Sequence, residues 1–238
     1  MKLSIIIPAY NEQDTISLVI KKVLKNKLVS EIIVVNDGST DGTSHRIQDT
    51  GRRKIKVINK KQNEGKGAAI RDALKIVTGD IIIIQDADLE YDPQEYGKLI
   101  KPIIDNKADV VFGSRFMGSD AHRVLYFWHM LGNQFLTLVT NILTNLNLTD
   151  METCYKVFTK KVAKKLNLKE RRFGFEPEFT IKISALGCRI YEVGISYSGR
   201  SYAEGKKINW KDGTWALWCI IKYGLIKRSG DRNIQKIF

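Results

Sequence analysis

Three carboxylates at alternating positions, Asp86, Asp88 and Glu90, follow a continuous β-branched run, Ile81 to Ile84, in the stretch GDIIIIQDADLE. In extended chain alternate side chains share a side, so the spacing predicts three acidic groups around one small volume. Crowded like charges repel unless a cation lies among them, and hard oxygen donors suit Mg²⁺ or Mn²⁺. The same spacing is compatible with a solvated acidic turn before Asp92-Pro93 and a helix. The apolar run itself reads as a strand buried on both faces of a sheet. Open α/β sheets bind ligands beyond the carboxyl ends of such strands, which is where the triplet lies.

The elements that must hold this triplet alternate along the chain. Leu3 to Ile7 predicts a strand ended by Pro8, which has no N–H to give a ladder. Ala9-Tyr10-Asn11-Glu12 leads into a helix whose buried stripe is Ile16, Val19, Ile20, Val23 and Leu24. A strand at Ile32 to Val35 runs into Asn36–Thr43, a turn-rich loop whose Asp41 is placed to cap the next helix. A short strand at Ile55 to Ile58, a helix from about Ala68 to Val77, the strand at Ile81, a helix after Pro93 and a strand at Asp109 to Phe112 follow. This series predicts an α/β fold: a mostly parallel, doubly wound sheet with helices on both faces. Parallel strands bring Glu12, Asp37, Asp86 and Asp88 to one edge. There Asp37 can accept from the ring N–H of uracil or guanine, and Asp88 can meet a diphosphate through a metal. No strand end carries GxGxxG or GxxxxGK[ST], which disfavours dinucleotide and P-loop folds. Gly65-Lys66-Gly67 at a helix start reads equally as an anion cradle or as a tight turn with a surface lysine.

The 238 residues read as a single domain over 1–238, with the strand–helix pattern of 1–115 changing over 116–238. Lys and Arg number 39 against 26 Asp and Glu, a net +13. Residues 151–238 hold 19 basic and 8 acidic side chains, so +11 of that charge lies in the last third. An anionic partner or a solvated basic face explains it. Val124–Leu146 and Trp210–Lys227 are aromatic and apolar but interrupted by polar residues, which fits amphipathic helices lying at a membrane surface or packed in the core. Cys154, Cys188 and Cys219 have no CxxC spacing, which predicts a reducing compartment without zinc or disulfides. The start, MKLSIIIPAY, lacks a signal peptide's layout, and no run reaches about 18 apolar residues, so no spanning helix is expected.

Four motifs carry a resemblance when taken in order: Pro8-Ala9-Tyr10-Asn11-Glu12, Asn36-Asp37-Gly38-Ser39-Thr40-Asp41-Gly42-Thr43, Asn63-Glu64-Gly65-Lys66-Gly67 and Asp86-Ala87-Asp88. Over about residues 1–160 the chain resembles family 2 glycosyltransferases, closest to the dolichyl-phosphate mannose and glucose synthases. The resemblance implies a GT-A fold, a nucleotide-sugar donor, a divalent metal (Mg²⁺ or Mn²⁺) and inversion at the anomeric carbon. It implies that Pro8, Tyr10, Glu12 and Asp37 hold the nucleoside, that Asp86 contacts ribose or metal, and that Asp88 and Glu90 are metal ligands. The chain departs from the family at Asn36, where many relatives have Asp, and at Glu90, where some have Gln. Arg115, just past a strand end, is placed to contact a phosphate. Thr149-Asp150-Met151-Glu152-Thr153-Cys154-Tyr155-Lys156 is similar to the family segment near the acceptor; Asp150 is then the base for a sugar hydroxyl, or a positioning group for a phosphate that needs no base. Arg200, with Lys206 and Lys207, looks like the basic loop such synthases turn toward lipid phosphate or donor diphosphate.

Together these readings predict an inverting, metal-dependent hexosyltransferase. It would use a UDP-sugar in preference to GDP-mannose, with polyprenyl phosphate as acceptor, at the inner face of the cell membrane. A sugar acceptor in surface glycan or lipopolysaccharide assembly is the alternative. Two rivals fit less of the chain. A phosphatase with an aspartyl nucleophile would carry Thr where Glu90 stands and leaves Pro8–Glu12 unexplained. A nucleic-acid binder would use the charge but leave the carboxylates idle, so no nucleic-acid partner is expected.

Overall fold

A computed structural model describes residues 1–50, 54–118, 123–124, 126–201, 204 and 210–231. Seven strands form one sheet: β1 (Leu3–Ala9), β2 (Val29–Asn36), β3 (Ile55–Asn59), β4 (Ile81–Ile84), β5 (Val110–Ser114), β6 (Lys156–Thr159) and β7 (Ile190–Gly194). Among the described residues eight α-helices accompany them: α1 (Ile16–Lys25), α2 (Thr43–Gln48), α3 (Lys66–Leu74), α4 (Tyr96–Ile104), α5 (Phe127–Thr144), α6 (Lys160–Lys165), α7 (Phe175–Ala185) and α8 (Trp210–Asp231). The strand order is β3-β2-β1-β4-β6-β5-β7, and only β6 runs against its neighbours.

The first half alternates strand and helix as the sequence predicts. Ile5, Ile6 and Ile7 are fully buried, as are the four isoleucines of β4. Successive strand side chains point to opposite faces, so burial of every one requires cover on both. α3 packs on β1 and β2, and α4 on β5, β6 and β7. On α1 the buried stripe is Ile16, Val19, Ile20 and Val23, with Leu24 at its edge. Gln85 closes β4 with a fully buried amide whose Oε1 accepts from the hydroxyls of Tyr96 and Tyr155, each at 2.8 Å. A buried polar group thus becomes a tie between β4, α4 and the segment before β6.

Several expectations need correction. Pro8 does not end β1, which continues to Ala9 paired with Asn36. Ile6 accepts from Gln85 on the β4 side and Ala9 accepts from Asp37 on the β2 side, so Pro8 faces the β4 side. β4 has already ended there, and the missing N–H costs no ladder bond. The helix expected over Ala68 to Val77 instead spans Lys66–Leu74. Asp41 accepts from the Thr43 backbone at 3.0 Å, but the residue preceding α2 is Gly42. After β7 the chain forms only an isolated bridge, at Tyr197.

The second half wraps back onto the first. β6 fills the space between β4 and β5, and Phe179 of α7 packs on Phe112 of β5 and Phe158 of β6. α5 ends at Asn145 in the left-handed conformation (φ 56°), a residue type that tolerates it. α5, α7 and α8 pack on one another around a second, smaller core that includes Leu136, Ile181, Ala216 and Ile220.

Candidate active site

The loops at the carboxyl ends of β1, β2, β4 and β5 surround a cleft of about 990 Å³. Pro8, Tyr10 and Glu12 line it after β1, and Asp37 after β2. Asp86, Asp88 and Glu90 line it after β4, with Lys66 from the start of α3. Arg115 follows β5, and Arg200 comes from the segment after β7. α5 and α8 supply a further wall, through Trp128, Leu136, Asp212 and Ala216 among others.

Asp37 is nearly buried and its oxygens are engaged. They accept from the backbone N–H groups of Glu64 (3.1 Å) and Gly65 (2.6 Å), and Lys60 lies 2.9 Å away. Asn36 beside it bonds the side chain of Asn59. The Gly65-Lys66-Gly67 turn is tight, but its lysine is not the surface side chain that one of the two sequence readings gave it. Gly65 has φ +96°, and a Cβ there would stand 2.5 Å from the Arg171 carbonyl. One at Gly67 would meet the Glu170 carbonyl at 2.5 Å. The glycines therefore let residues 170–172 cross over the start of α3. Lys66 is not at the surface: its ammonium lies 2.9 Å from Asp86 and 3.0 Å from Glu176. Burial disfavours its charge, but Asp86 and Glu176 more than offset this and hold its pKa well above the usual value.

The acidic triplet departs from the alternating geometry. The chain after β4 is not extended, and Leu89 has φ +64°, which breaks the two-residue period. Asp86 turns to Lys66, whereas Asp88 and Glu90 turn to Arg200. Among the described residues no three His, Cys, Asp or Glu side chains are arranged to hold a metal ion. Instead the Arg200 guanidinium lies between Glu12 (3.2 Å), Asp88 (3.1 Å) and Glu90 (3.7 Å), and its backbone N–H donates to Glu90. Burial, then Asp86 and Glu90, push the Asp88 carboxyl well above the usual carboxylate range despite Arg200. Asp88 is therefore an oxygen donor whose ionised form is undercompensated. That suits a hard cation that completes its shell with phosphate oxygens rather than with three carboxylates. Lys206 and Lys207 lie outside the described residues.

Arg115 and Asp150 form a two-point ion pair, Nε to Oδ2 at 2.7 Å and Nη2 to Oδ1 at 2.8 Å. Asp150 is fully buried and does not line the cleft. Of the two roles read for Asp150, a base or a positioning group, this burial against Arg115 fits the positioning one. Two other carboxylates, which sequence spacing did not single out, do line the cleft. Glu176, on the first turn of α7, is paired with Lys66 and with the fully buried Lys156 of β6. Glu152 has a buried Oε1 with no hydrogen-bond partner among the described residues. Burial and then Glu176 raise its carboxyl to about 7. Trp128 belongs to both surfaces of α5, lining the cleft while 77% exposed.

A doubly wound sheet with acidic and basic groups in a cleft at its carboxyl edge is the arrangement in which open α/β proteins bind their ligands. Residues 4–166 match the family "Glycosyl transferase family 2", and the chain belongs to that family of glycosyltransferases. A UDP-N-acetylglucosamine–dolichyl-phosphate N-acetylglucosaminyltransferase of Methanococcus voltae is 29% identical over 86% of this chain and 89% of that protein. A dolichyl-phosphate beta-glucosyltransferase of Trichomonas vaginalis is 28% identical over 82% of this chain and 65% of that protein. Among solved structures, glucosyl-3-phosphoglycerate synthase of Mycobacterium tuberculosis, in complex with Mn²⁺, UDP and phosphoglyceric acid, superposes with a TM-score of 0.74 at 22% identity. It covers 94% of this chain and 78% of that one, and the shared architecture is the GT-A fold.

Proposed function

We propose that this protein moves a hexose, with inversion and with a divalent cation, from a nucleoside diphosphate sugar to polyprenyl phosphate at the cytoplasmic face of a membrane. UDP is preferred to GDP as the donor's carrier. The observation that supports a lipid acceptor above others is Trp128. One helix, α5, walls the cleft and also presents Phe127, Trp128, Phe135, Leu138 and Ile142 to solvent. A phosphate on an apolar tail can enter from that side while its tail stays on an apolar surface. The two relatives that act on dolichyl phosphate by name support the same reading.

In this reading the nucleoside lies over Pro8, Tyr10, Glu12 and Asp37, and its diphosphate near Asp88. Asp88, with Asp86 or Glu90 and the donor's phosphate oxygens, would hold Mg²⁺ or Mn²⁺. Such an ion offsets the charge that develops on the departing diphosphate and supplies about several kcal/mol of stabilisation. Arg200 is close enough to that diphosphate to exchange carboxylate partners for phosphate oxygens. The acceptor approaches from the α5 and α8 wall, opposite the leaving group, which is the geometry of inversion. A phosphate acceptor is already ionised near neutral pH, so the burial of Asp150 withholds nothing the reaction needs.

The test is transfer from a panel of UDP- and GDP-sugars to short-chain polyprenyl phosphate with Mn²⁺, comparing wild type with Asp88→Ala. The expected outcome is a metal-dependent lipid product that the substitution lowers by about 10³-fold or more. Donor hydrolysis without lipid product would overturn the acceptor assignment and favour a sugar hydroxyl. No use of any nucleotide sugar would overturn the whole proposal.

A further inference from the structure

The described cations beside the inner part of the cleft are engaged by carboxylates other than Glu152. Lys66 is held by Asp86 and Glu176, and Lys156 is held by Glu176 and by the carbonyls of Met151 and Thr153. Arg115 is held by Asp150. Glu152 lines the cleft among these pairs without joining one, and its Oε1 is buried with no donor among the described residues. A buried carboxyl oxygen without a donor costs stability, so a chain that keeps one is keeping it for something outside itself. The group that satisfies it must be a donor, uncharged enough to sit beside Lys156 and Arg115, and delivered by the cleft's occupant. A sugar hydroxyl meets all three conditions.

Position along the cleft narrows the choice. The loops after β1, β2 and β4 line the cleft together with α5 and α8. Glu152 precedes β6, the strand lodged beside β4, and lines the same cleft as Lys66, Arg115 and Glu176. With a nucleoside over the first loops and a diphosphate at Asp88, these groups are left for the donor's sugar ring.

We infer that Glu152 is the sugar-reading group of the cleft, accepting a hydrogen bond from one ring hydroxyl of the transferred hexose and thereby setting which donor is used. This rests on the donor orientation given under the proposed function. Burial and the neighbouring Glu176 leave the ionised form of Glu152 poorly compensated, and a hydroxyl that donates to it would favour that form. Sites built to bond a hydroxyl reject analogues that lack it far more strongly than apolar pockets reject a missing methylene.

Equilibrium binding of UDP alone, of UDP-glucose, UDP-galactose and UDP-N-acetylglucosamine, and of mono-deoxy forms of the tightest of these, would be measured with Mn²⁺. Wild type, Glu152→Gln and Glu152→Ala would be compared, with thermal stability of each. The expected result has three parts. Wild type loses roughly tenfold to a hundredfold in affinity for one mono-deoxy donor. Glu152→Ala loses about as much for the intact donor and no longer distinguishes the two. UDP alone binds all three proteins equally, and Glu152→Gln is at least as thermally stable as wild type. If Glu152→Ala keeps the wild-type ranking of intact and deoxy donors, the inference is overturned. It is also overturned if the substitution weakens UDP and UDP-sugar alike, which is the mark of a structural role. Failure of wild type to bind UDP at all would strike the donor assignment itself, a separate result from loss of sugar discrimination.

Discussion

Arg200 holds the place in this site where three carboxylates need a cation. Its guanidinium touches Glu12 and Asp88 and lies near Glu90, groups that would otherwise face one another across a few ångströms. A guanidinium and a divalent ion compete for the same oxygens. Arg200→Ala is therefore expected to bind Mn²⁺ more tightly in the absence of nucleotide, by about tenfold. It is expected to transfer sugar more slowly once donor is present. Titration of Mn²⁺ by electron paramagnetic resonance checks the first effect, and unchanged affinity would mean that Arg200 does not compete for the ion. At this scale the acidic residues were readily legible in the sequence, because carboxylates after a buried strand are conspicuous. The sequence did not single out Glu152 or Glu176, which come from a part of the chain more than 60 residues further on. It marked Arg200 without the contacts to Glu12, Asp88 and Glu90, because no spacing rule links such residues to Asp88. The reversal at Leu89 was equally hidden, since a positive φ at leucine has no signature in composition.

The elements were more legible than the contacts among them. Runs such as Ile32–Val35 and Ile81–Ile84 are short, β-branched and bounded by turn residues, and the stripe on α1 has helical spacing. β6 was not legible. It is four residues long, contains a lysine, and gains its place only because Lys156 finds Glu176 inside the protein. The turn at Gly65 shows how an element depends on such remote partners. Its N–H donates to Asp37, its φ is +96°, and the backbone of residue 171 lies against it. Gly65→Ala is expected to cost about 1–3 kcal/mol in backbone strain alone. It is also expected to weaken UDP binding, because Asp37 loses an aligned donor. Denaturant unfolding with parallel UDP titration checks both; an unchanged midpoint would show that the turn relaxes freely.

On the scale of the whole molecule, charge and apolar surface are gathered in the second half. The last 88 residues carry +11 of the net +13, and α8 adds Trp215, Trp218 and Leu225 to the exposed apolar residues of α5. No helix among the described residues is long and apolar enough to cross a membrane. Aromatic side chains beside basic charge suit the boundary of an anionic bilayer. The protein is expected to sediment with phosphatidylglycerol vesicles and poorly with phosphatidylcholine vesicles, and to be released as salt rises. Replacing Trp128 and Trp218 together by Glu should weaken vesicle binding by about tenfold or more. Equal sedimentation of the double variant would assign this surface to something other than lipid.

The slot between β4 and β5 bears on how the chain reaches its native state. These two strands are made one after the other, yet the strand that joins them appears more than 40 residues after β5 ends. A nascent chain that has emerged only to the end of β5 holds a row of isoleucine backbone on β4 with no neighbour on that side. An open strand edge invites wrong pairing. Closure awaits a short strand whose buried lysine must arrive together with α7, a non-local step that slows folding. The middle of the sheet is therefore closed late, and its aggregation hazard during synthesis is concentrated in the interval between β5 and α7.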